Sequence, residues 1–202
     1  MQSLNPFDRQ QRSTQKLSIS QITQAKSTWT KEVKRRARDS VLASRVAAVL
    51  TAELQELNDN PFSTLTIGPK GDSIMCWTAY IMGPANTPYF GGLFNLRLDF
   101  PTTYPRDPPR VKFMTSMYHP GVDTKDGSAD PSSFGLKLDA GRGIESNTIR
   151  SILEAVVLFF TSSVYSELEG TSVRNMKAKE QLKNDPRGFH ETAVRFTYQY
   201  AR

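Results

Sequence analysis

The sequence predicts an α+β domain: one N-terminal helix, a four-stranded antiparallel meander and three C-terminal helices, with a basic extension in front. Three observations lead there. Residues 19–57 hold neither glycine nor proline and repeat apolar side chains at mostly helical spacing. Residues 73–82 and 93–100 alternate apolar and polar side chains with period two. Residues 147–200 hold three helical stretches, the first dense in Ile, Leu, Val and Phe.

Composition narrows what the chain can do. Its 202 residues suit one domain with an extension and allow a proper core. The longest purely apolar run, Ala155 to Phe160, falls far short of the roughly 20 residues a membrane span needs, so no transmembrane segment is expected. A single cysteine excludes an internal disulfide and a Cys-based zinc cluster, and two histidines leave little for a metal; no metal and no cofactor are expected. The expected location is intracellular, with the cytoplasm ahead of an organelle. The net charge of +6 is unevenly placed: residues 1–40 carry nine Lys and Arg against three Asp and Glu, and residues 41–202 balance to zero. The expected organisation is therefore a basic extension over 1–40, an arm plus a helix, and a domain over 41–202.

Residues 1–18 are polar and aperiodic and read as an extended arm. A cleaved basic presequence is the rival, and Asp8 argues against it. Over 19–57, Asp39 and Ser40 offer a fresh cap, which leaves one bent helix and two helices both open. The apolar stripe of 41–57 must pack on something. Asn60-Pro61 ends the helix. Residues 62–67 read as a strand and 68–72 as a turn. In 73–82, Met75, Trp77, Ala79 and Ile81 share one face, and Ile74, Cys76, Thr78 and Tyr80 share the other. A loop over 83–92 leads to 93–100, where Phe94, Leu96, Leu98 and Phe100 oppose Asn95, Arg97 and Asp99. Four prolines forbid a regular element over 101–109, and 111–114 is the last strand. Residues 147–163 form the core helix, capped by Ser146 or Asn147. Helices over 172–182 and 186–200 follow, the latter with Asp185 as cap and Pro186 in its first turn.

The text W-x-A-x-I-x-GP-x-x-TPY-x-GG-x-F-x-L from Trp77, then FP-x-x-YP-x-x-PP-x-V-x-F-x-T from Phe100, then Tyr118-His119-Pro120, resembles the ubiquitin-conjugating enzyme family over about 41–202. RVAAVLTAELQEL before these motifs and DPRGFHETAVRFTYQYA after them are also similar. The resemblance implies that family's fold, and an activity in which a cysteine thiolate carries ubiquitin or a relative as a thioester. The family's His-Pro-Asn triplet, whose asparagine amide is thought to stabilise the oxyanion, reads His119-Pro120-Gly121 here. Gly135-Leu136-Lys137-Leu138-Asp139 best matches the cysteine motif, so Lys137 stands where the thiol belongs and an insertion lies around 122–134. In the ungapped register Ala129 or Asp130 falls near that slot. His119, Gly121 and Lys137 are thus vestigial positions: a structural histidine, a lost amide and a solvated loop lysine. Cys76, on a core strand 43 residues before the histidine, is expected to be buried as a small apolar side chain. Arg106 replaces an aromatic ligase contact, and residues 143–149 lack the tryptophan and proline of the second ligase-facing loop.

The expected function is a catalytically inactive relative, a pseudoenzyme serving as a structural or adaptor subunit of a larger assembly. Trp29, Lys31, Lys34, Arg35, Arg36 and Arg38 are the expected partner-binding residues. The alternative is a ubiquitin-conjugating-enzyme variant that regulates an active conjugating enzyme or binds ubiquitin. Such variants typically lack the last helices that this sequence retains. The basic run 31–38 also invites nucleic acid or an anionic membrane, although it has no interleaved aromatics.

Overall fold

The computed structural model describes residues 19–130, 134, 148–161 and 173–202. The chain divides into two compact units, Met1–Val41 and Leu42–Arg202. Of the two readings of 19–57, a single helix is observed, α1 (Ile19–Asp59). Asp39 does not cap a second helix because its carboxylate accepts from Arg35 Nη1 at 3.2 Å, an i,i+4 pair within one helix.

The sheet of the second unit has five antiparallel strands in the order β1-β2-β3-β4-β5: β1 (Leu65–Lys70), β2 (Ser73–Met82), β3 (Leu93–Asp99), β4 (Arg110–Phe113) and β5 (Ser128–Ala129). The sequence predicts four. The fifth is two residues long, too short for alternation to reveal; Ala129 pairs with Val111 and Ser128 with Lys112. The 122–127 turn delivers it. Asp123 accepts from the Lys125 and Asp126 N–H groups, and Gly127 takes φ +73°, where an added Cβ would overlap the Phe113 carbonyl oxygen.

The first strand also differs from its expected 62–67. It runs Leu65–Lys70, through the proline and glycine expected to turn, and the turn shrinks to Gly71-Asp72. Pro69 is tolerated because β1 is an edge strand, and the register shifts just after it. β2 and β3 follow the alternation closely. Trp77 faces Leu98, Ala79 faces Leu96 and Ile81 faces Phe94, all buried on one side of the sheet.

Three further helices are described: α2 (Ile149–Phe159), α3 (Met176–Asn184) and α4 (Pro186–Tyr200). Helix α2 is shorter than the expected 147–163, and its cap is Thr148, whose side chain accepts from the Ser151 N–H, rather than Ser146 or Asn147. Asn175 caps α3, which begins four residues later than expected. Asp185 caps α4 by accepting from Gly188 N–H at 2.9 Å, and Pro186 occupies the first turn. Ile149, Ile152, Leu153, Val156 and Phe159 bury one face of α2 on the inner side of the sheet, with the Phe113 and Phe159 rings stacked at 6.0 Å. Val46, Leu50 and Leu57 of α1 complete this core.

Glu53 ties three segments together. Its carboxylate accepts from the Tyr104 hydroxyl at 2.9 Å and from the Ile149 N–H at 2.6 Å, the open end of α2. Burial raises its pKa, and the two donors pull it back. Glu53→Ala removes the carboxylate acceptor of a hydroxyl and of an amide in a half-buried place. The expected loss is about 2–3 kcal/mol in urea unfolding; a loss below about 0.5 kcal/mol, the level of an ordinary surface substitution, contradicts the linkage.

Candidate functional site

The His119-Pro120-Gly121 loop is seated on the C-terminal end of α2. His119 has no exposed surface. Its Nδ1 accepts from the Gly121 N–H at 3.0 Å, so the ring proton sits on Nε2, which donates to the Phe159 carbonyl at 3.0 Å. The imidazole lies 3.9 Å, centroid to centroid, from the Phe159 ring and 5.8 Å from Tyr89. Burial drives its pKa from 6.5 down to about 3, with the Phe159 carbonyl opposing. Such a group is neutral, with both ring nitrogens hydrogen-bonded and shielded from water.

The loop is held from its other side as well. The Pro120 carbonyl accepts from the N–H groups of Arg174 and Asn175, each at 2.9 Å. Arg174 also pairs with Asp130 at 2.7 Å, joining the segment before α3 to the end of β5. Gly121 and Val122 are buried. Nothing in the sequence announces this clamp, because its partners lie 44 or more residues apart and belong to no motif.

Cys76 departs from expectation. It is half-buried rather than buried, and it lies on the outer face of β2, paired with Asp99 of β3. Its neighbour Trp77 points into the core, with Nε1 donating to the Ile74 carbonyl at 2.7 Å. His119 packs among the inner-face aromatics, so the sheet stands between the thiol and the His-Pro-Gly loop. Partial burial pushes the Cys76 thiol up, and hydrogen bonding to Asp99 adds to that direction. This is the reverse of what an attacking thiol requires. Lys137, and residues 143–147 of the second ligase-facing loop, lie outside the described residues. Arg106 is exposed and pairs with Asp107 at 3.2 Å. Among the described residues no cluster of His, Cys, Asp or Glu could hold a metal, and no helix is long and apolar enough to cross a membrane.

The six expected partner-binding residues lie on α1 within the first unit, and all are exposed. They do not form one group. Arg35 and Arg36 bond Glu32 at 2.7 and 2.9 Å, and Arg35 also reaches Asp39. The Arg35 and Arg36 bonds lower the Glu32 pKa. Lys31, Lys34 and Arg38 enter no ion pair among the described residues, and Trp29 is 70% exposed.

An antiparallel sheet packed on a core helix, with a buried His-Pro loop at that helix's end and two closing helices, defines an α+β domain. The family model described as ubiquitin-conjugating enzyme matches residues 49–197, and the chain belongs to that family.

The neutral histidine makes stability depend on pH. Its folded pKa lies below the unfolded 6.5, so on acidification the unfolded chain takes up the proton first. The stabilisation is complete above 6.5 and drains away between 6.5 and about 3. Between pH 6 and 5, stability should fall with a slope approaching about 1.4 kcal/mol per pH unit. His119→Gln, which can keep one donor and one acceptor, should flatten that slope in urea titrations; an unchanged slope contradicts the buried neutral ring.

Proposed function

We propose that this chain is a non-catalytic member of the ubiquitin-conjugating enzyme family that works as a structural or adaptor subunit of a larger protein assembly. The observation that carries the reading is the position of Cys76, the chain's one thiol, across the sheet from His119-Pro120-Gly121. Thioester carriage needs a nucleophile beside that loop, and the sheet separates them. Gly121 has no side-chain amide to offer an oxyanion, and its own N–H is spent on His119. Arg106 in place of an aromatic side chain fits the same reading, since burying a guanidinium in an apolar ligase contact is costly.

A regulatory variant that pairs with an active conjugating enzyme or holds ubiquitin is the less favoured reading. Such variants typically lack the closing helices, whereas here α3 and α4 bury Ala178, Phe189 and Ala193 in the core. Nor does the thiol invite an unusual nucleophile, because its raised pKa leaves little thiolate near neutrality.

Incubation with activating enzyme, ATP and ubiquitin, followed by gels run with and without reductant, tests the proposal. No reducible adduct is expected. A band that disappears with reductant in the natural chain and is absent in Cys76→Ser would overturn it.

A further inference from the structure

The first unit's helix sorts its side chains by face. With about 100° per residue, Glu32, Arg35, Arg36 and Asp39 share one side, where they satisfy one another at 2.7–3.2 Å. Both carboxylates of 27–41 are consumed there. The remaining arc, about 200° wide from Trp29 round to Lys31, holds no carboxylate. It carries Lys31, Lys34 and Arg38 at i, i+3 and i+7, within about 60° of one another. Next to these cations come Val41, 53% exposed, then the small Thr30 and Ala37, then Val33 and Trp29, 44% and 70% exposed. One face thus has an apolar edge, a shallow middle and a cationic edge, with no partner for any of the three charges among the described residues.

We infer that this face of α1 docks an amphipathic helix of a partner protein, with carboxylates along the edge that meets Lys31, Lys34 and Arg38 and an apolar ridge laid over Ala37 against Trp29 and Val33. The inference deepens the adaptor reading and rests on it. Charge complementarity names the partner's sign. Three considerations name its kind. Thr30, Val33 and Ala37 follow at i, i+3 and i+7, the spacing of a helix-to-helix seam, and the small residues let a second axis approach. Nucleic acid would draw on Arg35 and Arg36 as well, which are instead neutralised by Glu32. A lipid surface asks for a broader apolar face than Trp29, Val33 and Val41 provide. Oriented this way, Trp29 is an aromatic anchor at the edge of a dehydrated contact, the kind of residue that dominates binding.

The two tryptophans make the test direct, since Trp77 has no exposed surface and Trp29 is open. The probe is a synthetic amphipathic peptide of about three heptads, with Leu on its seam and Glu along one flank. The full chain is titrated and Trp29 emission followed. A saturable blue shift is expected, absent in Trp29→Phe. The triple variant Lys31→Glu, Lys34→Glu, Arg38→Glu should bind at least about tenfold more weakly and should recover binding to a peptide carrying Lys in place of Glu. Three outcomes overturn the inference. The Glu and Lys peptides bind the natural chain equally; a scrambled, non-amphipathic Glu peptide gives the same shift; or the shift appears only with duplex RNA or with vesicles containing phosphatidylserine. The charging gel reads independently of all three, so failure here leaves the non-catalytic reading standing, and a reducible adduct there would sink that reading alone.

Discussion

A single buried imidazole fixes the geometry on which the rest depends. His119 accepts from the backbone two residues ahead and donates to the last turn of the core helix, 40 residues further on. Both ring nitrogens are thereby spent inside an aromatic shell of Tyr89 and Phe159. A histidine bonded in this way has neither a proton to give nor a lone pair to take one. Tyr89 extends the same construction by donating its hydroxyl to the Tyr118 carbonyl at 2.9 Å. The loop's place on the domain is set by these bonds and by the clamp from Arg174.

This arrangement holds the loop by packing and backbone hydrogen bonds. The histidine and the tyrosine serve that packing, and Gly121 contributes its N–H to His119. Cys76 occupies a β2 position facing Asp99, where it contributes surface to the outer sheet. The charged extension adds a separate layer. In the first unit the polar groups are sorted so that one helix side is self-contained and the other is open.

The sequence made the sheet and the closing helices legible because their signals are local. Alternation in 73–82 specifies which residues of β2 turn inward, and Asp185-Pro186 marks the start of α4 to the residue. Sulfur bookkeeping was equally direct: one cysteine can be counted without a fold. What escaped were features made by distant partners. The two-residue β5 exists because β4 offers it an edge, and its own Ser-Ala text carries no period. β1 was displaced because proline is tolerated on an edge strand, a fact only the strand order reveals. The half-exposure of Cys76 required knowing that one sheet face stays uncovered there. The sequence reading takes the basic run as one group, and only the side-chain positions around Glu32 divide it into paired and unpaired halves.

The most direct measurement of the central claim is the pH dependence of Cys76 alkylation by iodoacetamide in the folded protein, followed by intact mass. A thiol held up by partial burial and by Asp99 should react slowly at neutral pH, with a midpoint above the ordinary value of 9.0. A midpoint near or below about 7, the range of activated thiols, would contradict it.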